Sequence, residues 1–149
     1  MMLMPLAPKA RRTRLENVRV RDMMTCNPVS VRHGITVREA AAFLAERGIG
    51  AASVVNDAGR AIGVLSRSDI LLAINAGVEM APVREVMTPS IIAVSPDSTA
   101  LDMTDLMVQH MVRRVYVVDD DGVPVGVVTT TDLFDVLAEM WEEPTLAAA

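Results

Sequence analysis

Cysteine occurs once, at Cys26, aromatic residues make up 3 % of the 149-residue chain, and no apolar run approaches membrane-spanning length. One cysteine excludes an internal disulfide and suits a reducing cytoplasm. Cys26 itself reads as a small hydrophobe. So few aromatics leave a core of Val, Ile, Leu, Ala and 11 Met, with Met filling irregular gaps. Without an apolar run of about 20 residues there is no spanning helix. The opening MMLMPLAP is too short and too interrupted for a signal peptide, and its basic residues follow the apolar stretch. A cytoplasmic protein off the membrane is expected. Metal-binding spacing is missing too: His33 and His110 stand alone. There is no Gly-Lys-Ser/Thr phosphate loop, and Gly48-Ile-Gly50 lacks a third glycine and follows a helix rather than a strand. No order of Ser, His and Asp, or of Cys and His, suggests a nucleophilic set. These absences count against catalysis. Positive charge is scarce outside the start. The net charge is −5, yet residues 1–21 sum to +5, so the remainder carries −10. An acidic body argues against nucleic acid as a partner. The basic residues 1–17 read as a loose, solvated arm.

What the chain does have is a repetition. Residues 20–70 align on 83–133 without a gap, at an offset of 63, with 13 identities in 51 positions; composition alone would give roughly four. A duplication supplies every site twice, in pseudo-symmetric copies. A 149-residue chain buries roughly two-thirds of its unfolded surface as one domain, whereas one half would be marginal alone, so a single shared core is expected.

In the first copy Val29 and Val31 alternate with polar residues, a short strand. Thr36-Val-Arg-Glu39 reads as a capping box. A helix over 37–47 buries Ala40, Phe43 and Leu44 and stops at Gly48. Strands at 53–55 and 61–65 form a hairpin, and a helix over 67–75 closes at Gly77. The second copy repeats this with a strand at 92–94, a helix over 99–111, a hairpin across Asp121-Gly122, and a helix from Asp132 to about 140. Each unit is β-α-β-β-α, an α/β (α+β) arrangement. The expected divisions are the arm 1–17, repeats over 18–78 and 79–140 (the latter opening with a linker, 79–82), and a tail, 141–149.

Three segments recur in order. Val20-Arg-Asp-Met-Met-Thr25 pairs with Val83-Arg-Glu-Val-Met-Thr88. Ser53-Val-Val-Asn-Asp-Ala-Gly59 answers to Val115-Tyr-Val-Val-Asp-Asp-Asp-Gly122. Gly63-Val-Leu-Ser-Arg-Ser-Asp69 answers to Gly126-Val-Val-Thr-Thr-Thr-Asp132. With this spacing the chain resembles a tandem pair of cystathionine β-synthase (CBS) domains, the Bateman module, over about residues 20–140. The resemblance implies two pseudo-twofold-related repeats packed sheet to sheet, two equivalent clefts, adenine-containing ligands and a disc-like homodimer. The chain departs from the family at Ser53 and Tyr116, where proline is usual, which bears on the shape of a cleft.

The chemistry can be argued from the residues as well. Ser66-x-x-Asp69 and Thr129-x-x-Asp132 stand where a strand enters a helix. Free amides there welcome an anion, a hydroxyl can donate to phosphate, and a carboxylate can accept from a ribose diol. The same spacing is also an N-cap arrangement, and an Asp in the first turn favours the helix dipole by about 0.3–1 kcal/mol; the two roles can coexist. Ser68 and Thr131 supply second hydroxyls. From Glu85 to Ala149, Arg113 and Arg114 are the only basic residues apart from the neutral His110, against twelve acids. Adjacent like charges before a buried strand call for an anion, whether a nearby carboxylate or a phosphate tail; the resemblance implies the second. Their counterparts Gly50 and Ala51 are uncharged. For the adenine ring the resemblance implies Thr25, Cys26, Pro28, Val29 and Ile49 in one cleft, and Thr88, Pro89, Ile91, Ile92 and Val112 in the other; ordinary core packing is the competing role for each aliphatic.

The expectation is a non-catalytic regulatory module for signal transduction or energy sensing. It would bind AMP, ADP or ATP, with NAD and S-adenosylmethionine as further candidates, need no cofactor, and act on a regulated protein by a population shift. The rival is a constitutive interaction scaffold with empty clefts. A small nucleotide-processing enzyme would need a metal cluster or a poised base beside a nucleophile.

Overall fold

The computed structural model describes residues 14–141; most of the basic arm and nearly all of the tail lie outside them. In the first repeat, β1 (Thr25–Cys26) and β2 (Ser30–Arg32) lead to α1 (Val37–Arg47), the hairpin β3 (Ala51–Val55) and β4 (Ala61–Ser66), and α2 (Arg67–Asn75). The second repeat has β5 (Ala93–Val94), α3 (Ala100–His110), β6 (Arg114–Val118), β7 (Pro124–Thr129) and α4 (Thr130–Trp141). A short 3₁₀ turn opens each repeat, at Val20–Asp22 and Val83–Glu85.

The local signals act as expected at most boundaries. Gly48 takes the left-handed conformation (φ 63°) at the end of α1. In both hairpins an Asx side chain builds the turn: Asn56 Oδ1 accepts from the amides of Ala58 and Arg60, and Asp119 Oδ1 from those of Asp121 and Val123. The Thr36–Glu39 box is only half formed. Thr36 Oγ1 accepts from the Glu39 amide, but the Glu39 carboxylate accepts from the Thr36 hydroxyl instead of the backbone. The first amides of α1 go elsewhere, to Ala81 O and Glu79 O, so the linker caps the helix.

The expectation of one shared core is corrected. Each repeat has its own apolar cluster, and each is completed by the other's opening segment. Val83 is buried with Val31, Val37, Ala40, Leu44, Val54 and Leu65 of the first repeat. Val20 is buried with Met103, Met107, Val115, Val117 and Val128 of the second. Leu15, within the segment read as a loose arm, is 7 % exposed in that second cluster. Phe43 and Leu106 are half-buried at the cluster margins.

The exchange extends to the sheets. One has the order β2-β3-β4, the other β1-β7-β6-β5. The β1 strand therefore leaves its own repeat and pairs antiparallel with β7, Thr25 opposite Val127. Reciprocally, Thr88 bridges to Val64 of β4 through both backbone bonds, 2.9 and 3.0 Å. A glycine sits under each crossing. A Cβ on Gly63 would lie 2.5 Å from Thr88 O and 2.7 Å from Met87 Sδ; one on Gly126 would lie 2.5 Å from Met24 Sδ and 3.2 Å from Thr25 O.

Alanine at either glycine is expected to destabilise the fold by about 1–3 kcal/mol, as overpacking does. Gly63→Ala should cost more than Gly126→Ala, because at Gly63 the nearest obstacle is backbone and at Gly126 a flexible methionine end. Chemical denaturation of both variants checks the order.

Candidate functional site

The end of β4 turns directly into α2, and this corner is tightly bonded. Asp69 Oδ2 accepts from the Ser66 amide (2.9 Å) and hydroxyl (3.0 Å), while Ser66 Oγ accepts from the Asp69 amide (3.2 Å), a closed capping box. The β7–α4 corner repeats it: Asp132 Oδ2 accepts from the Thr129 amide (2.8 Å) and hydroxyl (3.2 Å), and Thr129 Oγ1 from the Asp132 amide (3.4 Å). The first helical amides are also tied down, Arg67 N to Gly50 O and Thr130 N to Arg113 O. The expectation of several free amides is thus corrected: the amides of Arg67 and Asp69 are occupied, which leaves Ser68 among the first three of α2. One carboxylate oxygen does the capping. The other, Asp69 Oδ1, faces the Thr88 hydroxyl at 3.5 Å.

Thr88 reaches that corner only because its segment crosses to β4. Between the repeats lies a cleft of about 880 Å³, within the range of small-molecule sites. Of the residues singled out in the sequence, Gly50, Ser66, Ser68, Asp69, Thr88, Ile92, Val112, Arg113 and Arg114 line it. The cleft combines the hydroxyl–carboxylate corner of the first repeat with the apolar and cationic residues of the second. Thr129, Thr131 and Asp132 occupy the pseudo-equivalent corner and do not line it. Thr25 and Cys26 form β1 at the other crossing. Pro28 and Ile91 are half-buried outside the cleft, and Val29 packs on the first-repeat cluster. Ile49 lines a separate apolar groove of about 320 Å³ with Leu44, Arg67 and Ile70. Pro89 is exposed.

The two arginines behave differently. Arg114 is half-buried and donates through Nη1 to Ala51 O at 3.2 Å, the carbonyl of its own counterpart in the repeat. Arg113 is exposed along the cleft. Neither forms an ion pair among the described residues. Four lining residues carried no earlier assignment: Val64, Ser90, His110 and Met111. Met111 stands at φ 54° where the first repeat has Gly48, and it is 88 % exposed. The signal for it was the missing glycine at a helix end.

Tyr116 lines the cleft while only 4 % exposed, and its hydroxyl, though near the Arg114 guanidinium, closes no hydrogen bond. Burial pushes the phenol above its ordinary 10.0, against the opposing pull of Arg114.

The sequence profile described as "CBS domain" matches twice, at residues 20–76 and 83–139. The chain belongs to the CBS domain family. It is 34 % identical over 116 residues to the CBS domain-containing protein YhcV of Bacillus subtilis, covering 76 % of this chain and 81 % of that one. The cytosolic domain of the Mg²⁺ channel MgtE, solved in complex with ATP, superposes with a TM-score of 0.73 at 33 % identity, over 84 % of this chain and 51 % of that one. The chain spans 29 % of the whole MgtE transporter of Thermus thermophilus. The CBS domain pair of protein MJ0100, solved with 5′-methylthioadenosine and S-adenosylmethionine, gives a TM-score of 0.71 at 26 % identity, over 83 % and 98 %. The chain is thus a CBS domain pair, and pairs related to it bind adenosyl compounds. No helix among the described residues is long and apolar enough to cross a membrane.

The raised phenol has a measurable consequence. A group that ionises less readily when folded contributes stability below its unfolded value, about 10 for tyrosine, and loses it as pH rises through the folded value. Tyr116 is the only tyrosine. Its absorbance titration is expected to show a midpoint above 10.0 in the native protein and near the ordinary value in denaturant.

Proposed function

We propose that this CBS pair is a regulatory module that binds an adenine nucleotide in the cleft between its repeats. The observation that carries the reading is the convergence on that cleft of Asp69, its Oδ1 turned to Thr88, with Arg113 and Arg114 unpaired with any described carboxylate. In this reading Asp69 Oδ1 accepts from the ribose hydroxyls, while Oδ2 keeps the helix capped. Ile92 and Val112 flank the adenine. The anionic tail runs toward Arg113, the Ser68 hydroxyl and the Ser68 amide, where charge-assisted bonds are strongest. Thr129, Thr131 and Asp132, with Thr25 and Pro28, make the corresponding set at the pseudo-equivalent corner, without a basic pair of its own strand; Val29 and Ile49, held by the first-repeat cluster, drop out of it. Two arginines suit a mono- or diphosphate.

Binding would act by population shift, since a ligand touching both repeats favours one angle between them. The exposed apolar residues Leu71, Leu72 and Ile74 on α2 and Phe134 on α4 are where we place a homodimer contact. Leu71 and Phe134 are counterparts in the repeat, so the strip follows the internal symmetry, and a twofold partner meets it with the same surface.

Calorimetry with AMP, ADP, ATP, NAD and S-adenosylmethionine tests the ligand. Asp69→Asn, which keeps a capping acceptor, and Arg113→Ala are each expected to weaken the best ligand about tenfold or more, the scale of a lost hydrogen bond to a charged group. Asp132→Asn should affect that cleft far less. Absence of binding at millimolar concentration would leave the scaffold reading instead. For the dimer, Leu72→Glu with Phe134→Glu is expected to shift the species seen by light scattering from two chains to one.

A further inference from the structure

Tyr116 carries the one buried side-chain polar atom without a hydrogen-bond partner among the described residues. Strand alternation places it. Val115 and Val117 point into the second-repeat cluster, so Arg114 and Tyr116 share the opposite face of β6, where Arg114 reaches the first repeat at Ala51.

The counterpart position shows what has changed between the copies. Ser53 is fully buried, and its hydroxyl is 2.7 Å from that of Ser30, its partner across the parallel strands. In the second repeat the residue paired with Tyr116 is Ala93, which has no hydroxyl. The first copy is satisfied inside the fold. The second has alanine at the inner position and a longer side chain that lines the cleft, its hydroxyl buried and unpartnered.

We propose that Tyr116 determines ligand specificity in this cleft, its hydroxyl donating to an anionic oxygen of the bound molecule. The argument is one of matching groups. A guanidinium only donates, and a neutral phenol beside it can donate too. A ligand atom within reach of both must accept, and an oxyanion accepts from both at once. Under the nucleotide reading above, on which this proposal rests, that oxygen belongs to the phosphate. A nucleoside without phosphate leaves the hydroxyl unpartnered, and a site built around a missing bond discriminates against it.

Tyr116→Phe removes one oxygen and keeps the ring. Calorimetry with AMP and adenosine on the full chain, wild type and Y116F, is the test. The variant is expected to lose roughly tenfold in affinity for AMP, the scale of one hydrogen bond to a charged group, and nothing for adenosine, while melting no lower than the wild type. A second measurement needs no variant: AMP, but not adenosine, should raise the alkaline midpoint of the single tyrosine, because a nearby phosphate opposes the phenolate. Equal AMP affinity in the two proteins, an equal loss for both compounds, or a tyrosine midpoint indifferent to AMP would overturn the proposal and leave the nucleotide reading standing. Failure of the wild type to bind either compound would overturn both.

Discussion

Two short segments, each ending in Met-Thr, cross from the repeat that encodes them to the repeat that buries them. This exchange is the constraint on which the rest of the molecule depends. Val20 and Val83 complete the opposite clusters, and Thr25 and Thr88 add backbone bonds to the opposite sheets. The crossing chain lies so close to β4 and β7 that no side chain fits beneath it, which accounts for Gly63 and Gly126 recurring at the same offset. Neither repeat retains a complete core without the other. The apolar residues fall into two clusters, but each is interlocked with the other repeat through the segment it receives.

The same crossing builds the site. Asp69 belongs to the first repeat and would face only its own cap if Thr88 stayed with the second. The exchanged strand brings the Thr88 hydroxyl to the free carboxylate oxygen and carries Ile92 into the same cleft. Capping and ligand contact need not compete, because the carboxylate has two oxygens and the helix uses one. The helix start is less open than its sequence suggests, since backbone carbonyls from the heads of β3 and β6 take its first amides. Those bonds have a further effect. They fix Gly50 and Arg113 against the helix ends, so the arginine is held at the cleft by its own main chain.

Much of the fold was legible because its signals are local. The bounds of α1, the stop at Gly48 and the Asx turns before Gly59 and Gly122 follow from residues within one turn of each other. The exchange was not legible, because a two-residue strand such as Thr25–Cys26 carries no periodicity and its partner lies 102 residues away, at Val127. The capping box at Thr36 predicts a bond from the Thr36 amide to Glu39, whereas the Glu39 carboxylate accepts from the Thr36 hydroxyl. In the site, hydroxyl, carboxylate and arginine could be named from a recurring pattern. Which repeat's acid meets which repeat's apolar slot depends on the crossing and needed coordinates. Ile49 shows the limit: its position in the repeat pointed to a cleft, while α1 and α2 hold it in a different groove.

The two copies differ in kind on the face where they meet. At the head of the hairpin the first has Gly50, Ala51 and Ser53, small and internally satisfied; the second has Arg113, Arg114 and Tyr116, long and polar. The small residues make room for the long ones, as the bond from Arg114 to the Ala51 carbonyl shows. A strictly symmetric pair with arginines in both copies would press like charges together across this interface, and one with alanines in both would leave nothing to hold an anion. Asymmetry therefore lets a duplicated fold keep close contact between its halves while concentrating its donors on one strand. The cost is a buried phenol hydroxyl without a hydrogen-bond partner, a deficit of about 1–3 kcal/mol for such a group. Under the proposed reading a ligand oxygen would remove that deficit only by arriving with the geometry and charge the strand presents, which is why the unpartnered phenol is the group we assign to discrimination.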